Sequence, residues 1–137
     1  MGGDHVDSVL LQVLTVANHV SHADALAHEA AEAEAQDDSR RALRLYREAV
    51  AAGTGVARAH VQVARSALSE GRPAAEVAGH LRRAHQLSPG DHEILLAYGE
   101  ALADAGMFAL AQKAAREAMS SNGHDARARA LLRRCSG

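Results

Sequence analysis

The sequence predicts an all-α fold built as a short α-solenoid, and three observations carry the prediction. The first is composition. Hydrophobic residues make up 47% of the 137-residue chain, yet there is one Phe, two Tyr, no Trp and only two Pro, while Ala is very frequent. Alanine loses no side-chain entropy on entering a helix, whereas the β-branched and aromatic residues that favour strands are sparse beyond the N-terminal segment. The second is punctuation. Gly53, Gly55, Gly71, Pro73, Pro89, Gly90, Gly106 and Gly123 break the chain at intervals of about 16 to 18 residues, which suits helices of roughly four turns. The third is self-similarity. Residues 61–71 fall over residues 96–106 at an offset of 35, with small, apolar and polar positions in agreement. Ala49, Ala84 and Ala118 lie 35 and 34 apart, as do Tyr46, Leu81 and Ala115, and Ala42, Val77 and Ala111.

A period of about 34 residues split into two helices resembles the tetratricopeptide-repeat family. The resemblance is closest over residues 91–121. There Leu95, Tyr98-Gly99, Leu102, Gly106, Phe108, Ala111, Ala115 and Ala118 follow the family's order of small and large positions. Pro89 stands where the family places proline between repeats. Gly99 and Ala111 are small where the two helices of one repeat cross, and Ala118 is small where the second helix meets the next repeat. Gly106 turns the chain between the helices, and Pro89 stops one helix and sets up the next. Residues 57–89 match more loosely: Ala64 replaces Gly, Val77 and Leu81 replace small residues, and one residue is inserted near Arg72-Pro73. Ser39 to Ala52 reads as the second helix of a first repeat. Its first helix, about 21–36, places Glu29 or Ala30 at the small position, depending on register.

The expected organisation is a single domain over 1–137 with about three helix pairs and seven to eight helices. It comprises an N-terminal amphipathic helix (4–20), a degenerate repeat (21–55), a second repeat (56–90), a third (91–123) and a capping helix (124–135). A repeat array buries its apolar faces only against neighbours, so its ends need capping elements. In the last helix Ala126, Ala130, Leu131 and Cys135 are expected inward and Arg127, Arg129, Arg133 and Arg134 outward. At the other end Val6, Val9, Leu10, Val13, Leu14, Ala17 and Val20 recur at helical spacing. Asp4 and Asp7 stand at the start of that stripe, where the helix dipole favours anions. Ser21 with Asp24 is a capping signal for a new helix. No Gly or Pro separates the two segments, so one helix over 4–36 is the alternative.

Net charge is −2, which excludes polyanion binding by bulk charge, but the distribution is uneven. Residues 1–38 carry eight acids and no Lys or Arg, for −8, and the remainder carries +6. Cys135 is the only cysteine, so no internal disulfide forms. No apolar run reaches the roughly 18 residues of a membrane span, and no basic n-region of a signal peptide precedes the first apolar segment. A cytoplasmic protein without membrane attachment is expected.

No catalytic motif is present, and no cofactor is implied. His28-Glu29-Ala30-Ala31-Glu32 lacks the second histidine of a zinc-protease helix. Nine histidines are an unusual count, and His19, His22, His28 and Glu32 are the candidate metal set, since His28 and Glu32 share a helical face. Solvated histidines on alanine-rich helices are the preferred explanation. The resemblance implies instead a concave groove lined by the first helix of each repeat, where a peptide or partner protein docks. Carried over by position, the groove takes Leu26 and Ala30 from the first repeat, and Arg58, Val61, Arg65 and Leu68 from the second. The third supplies Glu93, Leu96, Glu100 and Asp104. The family's clamp for acidic C-terminal peptides needs Lys, Asn and Arg, and Glu93 and Ala97 occupy two of its positions. The expected function is a non-enzymatic interaction scaffold. The alternative is self-assembly, with Val6, Val9, Leu10, Val13 and Leu14 filling a neighbour's groove and opposite charges attracting the copies. Nucleic-acid binding through Arg127–Arg134 is not expected, because stacking aromatics are missing.

Overall fold

The helix boundaries are set by one kind of turn, used several times. A computed structural model describes Gln12 and residues 22–136, and among these residues there are helices and short connections but no strands. The helices are α1 (22–35), α2 (Ser39–Ala51), α3 (Ala57–Ser69), α4 (Ala74–Leu87), α5 (His92–Asp104), α6 (Phe108–Ser121) and α7 (Ala126–Ser136). Asp37, Gly71 and Gly106 adopt φ of 60°, 72° and 79°. At each, the next residue's N–H reaches five residues back: Asp38 to the Ala33 carbonyl at 2.9 Å, Arg72 to Ala67 at 2.9 Å, and Met107 to Leu102 at 2.8 Å. This bond satisfies a carbonyl that the helix end leaves open, and the left-handed residue makes it geometrically accessible. The three turns lie 34 and 35 residues apart, so the sequence period is also a conformational period. Asp37 is the first repeat's counterpart of a turn glycine. Asp38 and Asp91 then cap the following helices, accepting from the N–H of Arg41 at 3.2 Å and Ile94 at 3.1 Å.

The chain divides into two compact units, Met1–Ala59 and His60–Gly137. In the first, α1 buries Ala23, Ala27, Ala30 and Ala33, which fixes its register: Ala30, fully buried, holds the small position. From α2 come Ala42, Leu45, Tyr46 and Ala49. Ser21 of the expected capping signal lies outside the described residues, and Asp24 makes a tertiary contact. Its Oδ1 accepts from the buried Thr54 hydroxyl at 2.7 Å and from the Gly55 N–H at 3.0 Å, holding the connection after α2.

In the second unit α5 is central. It packs on α4, α6 and α7. Ala64, Ala67, Val77, Leu81, Leu102 and Ala111 belong to one buried cluster, and Leu95, Leu96, Ala114, Ala118 and Ala128 to another. A Cβ on Gly99 would lie 2.7 Å from Leu131 Cδ2 and 3.1 Å from the Ala114 Cβ. The expected crossing at Gly99 is therefore present, and α7 closes over the same point. The inward face of α7 differs from expectation. Ala128 and Leu131 are buried and Leu132 and Cys135 half-buried, whereas Ala126 and Ala130 are exposed. Positions 128, 131, 132 and 135 form one helical stripe, and 126 and 130 fall off it.

Two predictions follow from these turns. Asp37→Gly removes the steric cost of a left-handed L-residue and should raise stability by about 0.5–1 kcal/mol in a urea titration. The hydrogen bonds from Thr54 and Gly55 hold the Asp24 carboxyl below its usual value. A group with a depressed folded pKa stabilises above its unfolded pKa of about 4 and loses that contribution as pH falls through the folded value. Asp24→Asn should therefore show a shallower loss of stability between neutral and strongly acid pH than the parent chain.

Candidate functional site

A groove in the second unit follows directly from helix spacing. On α3, Val61, Ala64, Arg65 and Leu68 recur every three or four residues and share one face. On α5, Glu93, Ala97, Glu100, Ala101 and Asp104 do the same. Between them Val77 and Leu81 of α4 form an apolar floor, and Arg127 and Arg134 of α7 close the far rim. The groove holds about 510 Å³, within the roughly 300–1,000 Å³ of ordinary ligand clefts. Leu68, at 62% exposure, is the most open of the large apolar side chains among the described residues.

The acidic wall of α5 is covered by α7. Arg127 bridges two carboxylates, with Nη1 2.5 Å from Glu93 Oε1 and Nη2 2.5 Å from Glu100 Oε1. Arg134 Nη2 lies 2.6 Å from Asp104 Oδ1. The Glu100 and Glu93 carboxylates, in that order, drive the Arg127 guanidinium pKa further up, so it is fully charged. At the N-terminal ends of the same two helices, His92 Nε2 sits 2.5 Å from Asp125 Oδ2. That contact, with the Ala128 and Arg127 N–H groups behind it, holds the Asp125 carboxyl below its usual value. All three carboxylates on this wall are thus engaged. On the opposite wall Arg65 is exposed, and among the described residues it makes no ion pair.

Of the residues expected in the groove, the structure brings together Val61, Arg65, Leu68, Glu93, Glu100 and Asp104. Leu96 is not among them. It is 2% exposed and packs with Ala114, Ala118 and Ala128, and Ala97, about 100° further round the helix, takes its place in the groove. Arg58 is engaged in the first unit, where Nε donates to the Tyr46 hydroxyl at 3.2 Å and a guanidinium nitrogen pairs with Glu34. Ala30 is core and Leu26 half-buried. Arg127, Arg134, Ala97 and the floor were not expected. Arg127 and Arg134, placed outward on a capping helix by their charge, turn instead onto α5. The 34-residue interval from Glu93 to Arg127 matches the repeat period and is the one sequence signal that could have found this contact.

Of the metal candidates, His22, His28 and Glu32 are exposed, and no group of three His, Cys, Asp or Glu among the described residues could hold an ion. His19 and the proposed self-association residues Val6, Val9, Leu10, Val13 and Leu14 lie outside the described residues. Among those described, no helix is long and apolar enough to cross a membrane. On the opposite side of α5 from the groove is a smaller space of about 160 Å³, lined by His85, Leu95, Tyr98, Leu102 and Leu110. There the His85 and Tyr98 rings stack with centroids 6.0 Å apart.

Solved structures similar to this chain carry the fold seen here. The tetratricopeptide-repeat domain of Arabidopsis OM64 aligns with 85% of this chain and 96% of its own at 14% identity and a TM-score of 0.62. The second such domain of human RPAP3, solved with an HSP70 peptide, aligns over 89% of this chain and 98% of its own at 14% identity and a TM-score of 0.62. The TPR2AB domain of yeast Sti1, solved as a complex with pHSP90, covers 95% of this chain and 53% of that one at 20% identity and a TM-score of 0.63. No protein-family profile and no curated protein matches the sequence. The chain has the tetratricopeptide-repeat fold.

The α5–α7 ion pairs are half-exposed, so each contributes only about 0.2–1 kcal/mol. Arg127→Gln removes two of these pairs and should cost no more than about 2 kcal/mol at low salt, and the difference should shrink at 1 M salt, where screening is strong.

Proposed function

We propose that this chain is a non-enzymatic interaction module that docks a segment of another polypeptide in the α3–α5 groove. One observation carries this reading: an open apolar trough on rigid helices, with every carboxylate of its acidic wall already ion-paired from within. Apolar surface supplies binding energy, and the few polar groups at its edge set orientation. A tetratricopeptide-repeat domain of RPAP3 has been solved with an HSP70 peptide and one of Sti1 as a complex with pHSP90, which supports a polypeptide as the class of ligand. An acidic chaperone tail is not the ligand expected here. Two positions where a carboxylate clamp would place basic or amide side chains hold Glu93 and Ala97, and Arg127 is spent on Glu93 and Glu100.

The groove residues sit where a substitution changes binding without touching the core. Panning a random-peptide library on the chain should yield segments that lose affinity at least tenfold, about 1.4 kcal/mol, in Leu68→Asp or Arg65→Glu. Peptides that bind both variants as tightly as the parent chain would mean that the groove is not the docking site.

A further inference from the structure

The walls of the groove specify the chemistry of what fills it. Arg127 and Arg134 are bound to α5 carboxylates, and Arg65 is the groove cation without an ion pair among the described residues. An occupant therefore needs apolar side chains for Val61, Leu68 and Ala97 and a carboxylate for Arg65. It gains nothing from a cation of its own, because Glu93, Glu100 and Asp104 are already satisfied. Few segments combine an apolar stripe with acids and no Lys or Arg. This chain carries one. Val6, Val9, Leu10, Val13 and Leu14 recur at helical spacing, Asp4 and Asp7 are the only charged side chains among residues 1–20, and no Lys or Arg precedes Arg40.

We infer that the groove of one copy is filled by residues 4–20 of a second copy. The inference rests on the groove being a polypeptide-docking site. It joins two different patches, a tail on one copy and a trough on the next. Two copies that exchange tails reciprocally close as a dimer, whereas tails passed on to further copies build rings or open chains. The attraction between Asp4 or Asp7 and Arg65 is solvent-exposed, so it weakens as salt screens it.

Sedimentation of the 137-residue chain over a range of concentrations tests this. The mean mass should rise with concentration and fall back at high salt. Leu10→Asp spoils the tail and leaves the groove intact. Leu68→Asp spoils the groove and leaves the tail, and Leu68 is too exposed for the change to disturb the core. Each variant alone should be a monomer, and an equimolar mixture should give a one-to-one heterodimer and nothing larger. A parent chain that stays monomeric at every concentration overturns the inference, as does a monomeric mixture or a variant that still assembles as the parent does. Library peptides separate this failure from a broader one. If they bind in a Leu68-dependent way to a monomeric chain, only the identity of the occupant is wrong. If they ignore Leu68→Asp, the groove itself is not a docking site.

Discussion

The second unit depends on how closely helix backbones can approach one another. At Gly99 there is room for a hydrogen and nothing more: Leu131 from α7 and Ala114 from α6 occupy the space where any side chain would begin. That contact seats α7 on α5. Once α7 is seated, Arg127 and Arg134 fall opposite Glu93, Glu100 and Asp104, and the acidic face of α5 becomes nearly neutral. The electrostatic character of the groove is thus a consequence of a missing side chain on the far side of the helix. Steric fit comes first and charge follows, because ion pairs this exposed are too weak to position a helix by themselves.

Much of the fold was legible because its determinants are local. Gly71 and Gly106 mark turns that need a left-handed residue, and alanines at fixed offsets mark the crossings. Asp37 hid the first of these turns, since aspartate tolerates the conformation without being its usual occupant. The register of α1 stayed open between Glu29 and Ala30 until burial decided it. Part of the groove was legible too, as six of the ten expected residues line it. What sequence missed depends on rotation. Leu96 and Ala97 are adjacent and both apolar, so either could face the groove, and only the packing of α6 and α7 turns Leu96 inward. The same holds for α7, whose buried stripe is offset from the one that its alanines suggest.

The two walls of the groove have unlike roles. The carboxylates of the α5 wall are all ion-paired and the wall supplies shape, whereas Arg65 on α3 offers a charge that nothing described in the chain answers. A surface of this kind discriminates among partners by what they lack as well as by what they carry, because a cation brought to the satisfied carboxylates would have to displace a guanidinium already in place.

The alanine and glycine lining of the helix crossings also fixes how this protein can fail. Ala30, Ala49, Ala64, Ala84, Ala111, Ala115 and Ala118 are all almost wholly enclosed. None of them can be cut back far enough to leave a void of consequence. Damage at these points is therefore one-sided: it comes from added bulk that wedges helices apart, not from lost contacts. Drift towards larger apolar residues, harmless in many interiors, is the direction this interior cannot absorb.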